Sequence, residues 1–215
     1  MWRSFGLAVS LAAVVVASAA ARDPWDPHLK FTKADQAAAK AAVLRQDDLG
    51  QGWTGGPQGS PSFKAPTCPA QRPNDGDLTL TGHAESVYSN GNGGLQIDSD
   101  IEVFPTSKQA KARFDRFLQP KLFTCLRYDL SKSLGGAKVT FLKGKRLDFA
   151  EVAERTAVYR LPIVYQGKTI DFDYLFLGRG RSQIYVNIVA PSVQESQLPA
   201  FELRLARLLA GRAVR

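Results

Sequence analysis

The chain has 215 residues, of which 44% are hydrophobic and 22% charged, the balance of a folded protein rather than a disordered or fibrous one. Lys and Arg number 28 against 20 Asp and Glu, a formal net charge of +8, and the basic side chains are dispersed rather than gathered into a patch. Two His and two Cys are too few for a zinc cluster of the usual Cys/His kind, so no metal site and no cofactor are expected.

The first 21 residues read as a signal peptide. Arg3 supplies the positive start, and Gly6 to Ala17 is an unbroken small and apolar run. Ala19-Ala20-Ala21 offers the small side chains a signal peptidase admits, and Arg22-Asp23-Pro24 ends the stretch. The run is shorter than the roughly 20 apolar residues of a spanning helix. A cleaved leader over 1–21 and a secreted product are expected, with an uncleaved N-terminal membrane anchor as the alternative. No later segment is apolar enough to span a bilayer, so no stable membrane insertion is expected after cleavage. Export also removes nucleic acid from the expected partners.

A flexible, Pro-containing lead is expected over 22–31, followed by a single domain over 32–215. Cys68 and Cys125 are an even pair in an oxidising compartment, and a Cys68–Cys125 disulfide is expected. By chain entropy such a bridge contributes about 4 kcal/mol.

Thr32, three residues before Asp35, has the spacing of a capping box, and Ala34 to Arg45 is nearly all strong helix formers. A long Gly/Pro/Ser loop follows to about Asn74. Gly82–Ser89 and Leu95–Phe104 alternate with the period of strands around the hairpin signal Asn90-Gly91-Asn92-Gly93-Gly94. Ser107 is placed to cap a helix whose apolar face carries Ala110, Phe114, Phe117 and Leu118. After Pro120, residues 122–134 predict a second helix. Strands are predicted over 138–147, 155–165, 169–177 and 183–190, the last three joined by tight turns as a meander. A final helix spans about 196–210, with Leu198, Phe201, Leu205, Leu208 and Leu209 as its stripe. The order predicts an α+β fold: an antiparallel sheet of about six strands with helices packed on one face.

Several landmarks resemble a family of exported actinobacterial proteins. It includes the extracellular sensor domain of a mycobacterial serine/threonine kinase and related lipoproteins, with a fold described as Mog1/PsbP-like. The landmarks are Asp48-Leu49-Gly50-Gln51-Gly52-Trp53 after an Ala-rich helix, the loop cysteine Cys68, Val103-Phe104-Pro105-Thr106, Ala110 and Phe114, and Cys125-Leu126. Gly178-Arg179-Gly180-Arg181 and Ala210-Gly211-Arg212 complete them, over roughly residues 34–212. The chain departs from the family in having one possible disulfide, no lipid-attachment cysteine and no kinase domain. The resemblance implies a non-catalytic, sensor-like module that binds an extracellular ligand or protein.

No catalytic signature is present. Gly50, Gly52 and Gly55 fit a dinucleotide spacing but follow a helix rather than a strand. There is no Gly-x-Ser-x-Gly elbow, and His28 and His83 are the only imidazoles. The alternation does, however, predict a polar sheet face built from His83, Glu85, Asp98, Asp100, Glu102, Arg160, Asp171, Asp173 and Asn187. These residues are the candidate ligand site, suited to a cation or a basic or polyhydroxylated ligand. The alternatives are a secreted hydrolase using carboxylates on that face and a wall-associated basic structural protein.

Overall fold

The computed structural model describes residues 24–59, 68–70, 73–91, 94–134 and 138–214; the expected signal peptide, 1–21, lies outside them. From residue 24 the expected flexible lead is instead held by backbone pairing. The Trp25 carbonyl accepts from Asp75 N–H at 2.9 Å, and strand β1 (His28–Leu29) runs parallel to β3 (Thr79–Leu80).

Thr32 caps α1 (Lys33–Ala42), its hydroxyl accepting from Asp35 N–H at 3.0 Å. The short α2 (Gln46–Leu49) follows. Inside the stretch expected to be loop, β2 (Trp53–Pro57) forms an edge strand antiparallel to β4 (Gly82–Asn90). Gly55 permits the approach: a Cβ there would stand 2.1 Å from the Val87 carbonyl oxygen. β5 (Leu95–Val103) completes the expected hairpin with β4. Thr106, rather than Ser107, caps α3 (Ser107–Phe117) by accepting from Gln109 N–H at 3.3 Å. α4 (Leu122–Ser133) carries Cys125, which is bonded to Cys68 as expected. The strand expected over 138–147 is broken into β6 (Val139–Phe141) and β7 (Lys145–Arg146). β8 (Arg155–Tyr165), β9 (Lys168–Arg179) and β10 (Ser182–Pro191) form the meander. Gln166 and Gly167 join β8 to β9 with φ of 50° and 74°, the doubly left-handed turn that suits a twisted hairpin. α5 (Leu198–Arg212) closes the described chain.

The architecture is α+β. Eight strands form one antiparallel sheet in the order β2-β4-β5-β10-β9-β8-β6, with β7 also on β8, wider than the expected six. Helices cover both faces rather than one. Ala39 and Ala42 of α1 and Leu198, Leu205 and Leu209 of α5 pack with Ile97, Ile101, Leu175, Leu177 and Ile184. Phe114 of α3 and Leu122 and Leu126 of α4 pack with Leu161, Phe172 and Phe176 on the other side. Leu175 and Leu177 alternate with Phe172 and Phe176 along β9, so that strand is apolar on both faces and needs cover on both. Among the described residues, no helix is long and apolar enough to cross a membrane.

Candidate functional site

Strand register assembles the site. His83, Glu85 and Val87 of β4 stand opposite Glu102, Asp100 and Asp98 of β5, and β10 continues the rows with Gln183, Tyr185 and Asn187. Phe176 and Tyr174 of β9 extend the last two rows. Above them α3 supplies Arg113 and Phe117, and α4 supplies Leu126. Together they enclose a cavity of about 430 Å³. Its inner wall is aromatic: the Phe117 ring lies 5.1 Å from Tyr185 and 5.3 Å from Phe176, both tilted.

The outer wall is charged. His83 is 1% exposed, and its Nε2 lies 3.0 Å from Asp100 Oδ1 and 3.4 Å from Glu85 Oε1. Burial alone would lower the imidazole. The hydrogen bond and charge of Asp100, reinforced by Glu102 and Glu85, outweigh it and hold His83 above its ordinary value. Burial of Oδ1 in turn pushes the Asp100 carboxyl up against the pull of His83. Glu102 is differently placed. Arg113 grips it through two N–H donors at 3.1 Å each and donates a further hydrogen bond to Asp75. Tyr185 Oη lies 3.4 Å from Glu102 Oε2. Asp98, farther along β5, accepts from Gln96 Nε2 at 3.1 Å and Asn187 Nδ2 at 3.5 Å.

His83, Glu85, Asp98, Asp100, Glu102 and Asn187 are thus brought together as expected. Arg160, Asp171 and Asp173 are not. The register aligns Asp173 with Ile188 of β10, and Ile188 with Ile97 of β5, so the acids of β9 share a face with the apolar residues of β5. A slip of one residue exchanges the faces of a strand, and period alone cannot say which parities match across strands.

The displaced residues form a second constellation beneath α5. Arg160 donates to Asp173 through Nε and Nη2 at 2.7 and 2.6 Å and to Glu195 at 2.5 Å, with Asp171 Oδ2 at 3.9 Å. Glu202 of α5 joins them at 1% exposure. Burial first, then a hydrogen bond shared with Asp173 and that residue's charge, push its carboxyl from the ordinary 4.5 up to about 9. A raised folded value means that this carboxyl's contribution is complete below about 4.5 and is lost as the pH rises through about 9. Glu202→Gln, which needs no proton to stay neutral, should therefore be the more stable protein at pH 7, by roughly 3 kcal/mol. The gap should widen toward pH 9. Urea unfolding at pH 6 to 9 measures it, and a variant weaker at every pH would overturn the assignment.

Sequence reasoning missed Arg113 and Glu202 as interior charges. The signal was their spacing: Arg113 stands three residues after Ala110 and four before Phe117, and Glu202 four after Leu198 and three before Leu205.

No protein-family model and no curated protein matches the chain. Among solved structures it is similar to the extracellular domain of PknH from Mycobacterium tuberculosis, with 12% identity and a TM-score of 0.45 over 82% of this chain and 95% of that one. A superposition this loose leaves the functional reading to the site's own geometry.

Proposed function

We propose that the chain is a non-catalytic binding module, acting outside the cell, that takes a small organic cation in the cavity between the sheet and helices α3 and α4. The observation that carries this is the cavity's charge: Glu85, Asp98, Asp100 and Glu102 line it against one guanidinium, Arg113, already engaged with Glu102 and Asp75, and one imidazole, His83, held by Asp100 and Glu85. Carboxylates beside the aromatic side chains of Phe117, Tyr174 and Phe176 suit an ammonium or guanidinium ligand, and the Arg113 guanidinium already stands over the Phe117 ring at 5.6 Å from its centroid. Burial and the nearby charges of Asp129, Asp98 and Asp173 hold the Tyr174 phenol up, so it stays a neutral lining group. The extracellular setting fits the Cys68–Cys125 bond.

The hydrolase reading has less support. Ser86 and its cross-strand partner Ser99 lie on the other sheet face from His83, and Ser99 Oγ accepts from Leu44 N–H at 3.2 Å. Glu85 and Asp100 each lie within 3.4 Å of the same imidazole, which leaves neither available as an independent acid or nucleophile.

A thermal-shift panel of choline, putrescine, arginine and neutral sugars tests the proposal. Expected is stabilisation by at least one cation and none by the sugars, with Asp98→Asn weakening binding about tenfold. Stabilisation by sugars alone, or turnover of chromogenic glycosides or esters, would replace it with the alternative.

A further inference from the structure

In the two cross-strand rows that follow that of Asp98, one imidazole and two carboxylates converge. We propose that His83, Glu85 and Asp100 form a binding site for one first-row divalent cation, zinc by preference. One imidazole nitrogen and two carboxylate oxygens are the mixed donor set that zinc accepts.

The spacing agrees. The three donor atoms lie within 4.8 Å of one another, with Nε2 at 3.0 Å from Asp100 and 3.4 Å from Glu85. Donors at about 2.1 Å from a common metal stand about 3.0 Å apart along an octahedral edge and about 3.4 Å along a tetrahedral one. The imidazole therefore already stands at coordination-edge distances from both oxygens.

The backbone holds the donors in place. His83 and Glu85 lie two residues apart on one face of β4, and Asp100 is the cross-strand partner of Glu85 on β5. Glu102, the cross-strand partner of His83, is gripped by the Arg113 guanidinium through two hydrogen bonds, and Asp100 and Glu85 are the carboxylates nearest Nε2. His83 and Glu85 also border a second cavity of about 270 Å³ between α1 and β2. Open coordination positions thus have room for water or a ligand atom on either side. Calcium, which takes six to eight oxygen donors, fits this set poorly.

The inference shares Glu85 and Asp100 with the organic-cation reading but not Asp98, and it does not require an organic ligand, because its probe is the metal alone. The probe is zinc chloride, titrated calorimetrically into untagged protein carrying His28→Ala, so that His83 is the one imidazole left. Expected is one zinc per chain with a Kd of about 1 μM or tighter. Glu85→Gln and Asp100→Asn should each weaken binding about tenfold or more, His83→Asn should abolish it, and calcium should not compete. Asp98→Asn should leave zinc binding unchanged while reducing organic-cation binding, which separates failure of one reading from failure of the other. If His83→Asn does not fold, the other two variants decide, since the Asp100 and Glu85 side chains are 34% and 42% exposed and tolerate an amide. No zinc uptake at about 100 μM, uptake that survives both carboxylate variants, or calcium binding of equal strength overturns the proposal.

Discussion

Arg160→Met is expected to lower the free energy of unfolding by about 3–5 kcal/mol, because it strands buried carboxylates without their cation. Arg160 is 3% exposed and Asp173 0%, and the pair is joined by two charge-assisted hydrogen bonds at 2.6 and 2.7 Å. Asp171 and Glu202 crowd the same space, and the guanidinium is the one full positive charge that the hydrogen bonds and ion pairs place among them. Its own proton is held more tightly than usual, first by the Asp173 hydrogen bond. Methionine keeps most of the volume and removes the charge, so the loss reports electrostatics rather than a cavity. The control is the double variant Arg160→Met/Asp173→Leu. Removing both members of a buried pair is often nearly neutral, so the double variant should recover more than half of the loss. Denaturant unfolding of the two variants measures this. Equal destabilisation in both would show that packing around Arg160, not charge, holds α5 to the sheet.

This constellation also marks where the sequence stops being informative. Strand existence was legible because each strand of the meander is long and its turns are chemically explicit, as at Gln166-Gly167. The α1 cap was legible because Thr32 and Asp35 are local partners. The pairing of parities across strands was not, because it depends on a register that only tertiary packing sets. Asp98 and Asp173 look alike in sequence, yet one lines an open cavity and the other is sealed under a helix. The run Tyr174-Leu175-Phe176-Leu177 was the available clue: a strand apolar on both sides cannot leave a solvated face. The edge strand β2 was hidden for the opposite reason. Trp53–Pro57 carries two Gly and a Pro, and its pairing depends on the absence of a side chain at Gly55 rather than on any β propensity.

Cys68→Ala/Cys125→Ala is expected to lower stability by about 4 kcal/mol while leaving the native cavity formed. Both cysteines are buried, so alanine avoids the unsatisfied hydroxyls that serine would introduce. The bridge spans 57 positions and ties the segment after β2 to α4, one residue before the cavity-lining Leu126. Two effects are therefore separable. The first acts on the unfolded chain, which loses a long closed loop and gains conformational freedom. A more expanded unfolded state exposes more surface, so the denaturant slope should rise as the midpoint falls. The second would act on the native state, if the bridge were needed to seat α4. Leu122 and Leu126 already pack α4 against Leu161, Phe172 and Phe176, so the helix has its own hold on the sheet. Cation affinity in the variant, measured well below its unfolding midpoint, should then match the parent. A lower midpoint with an unchanged slope and weakened ligand binding would reverse the assignment and make the disulfide a strut of the cavity roof.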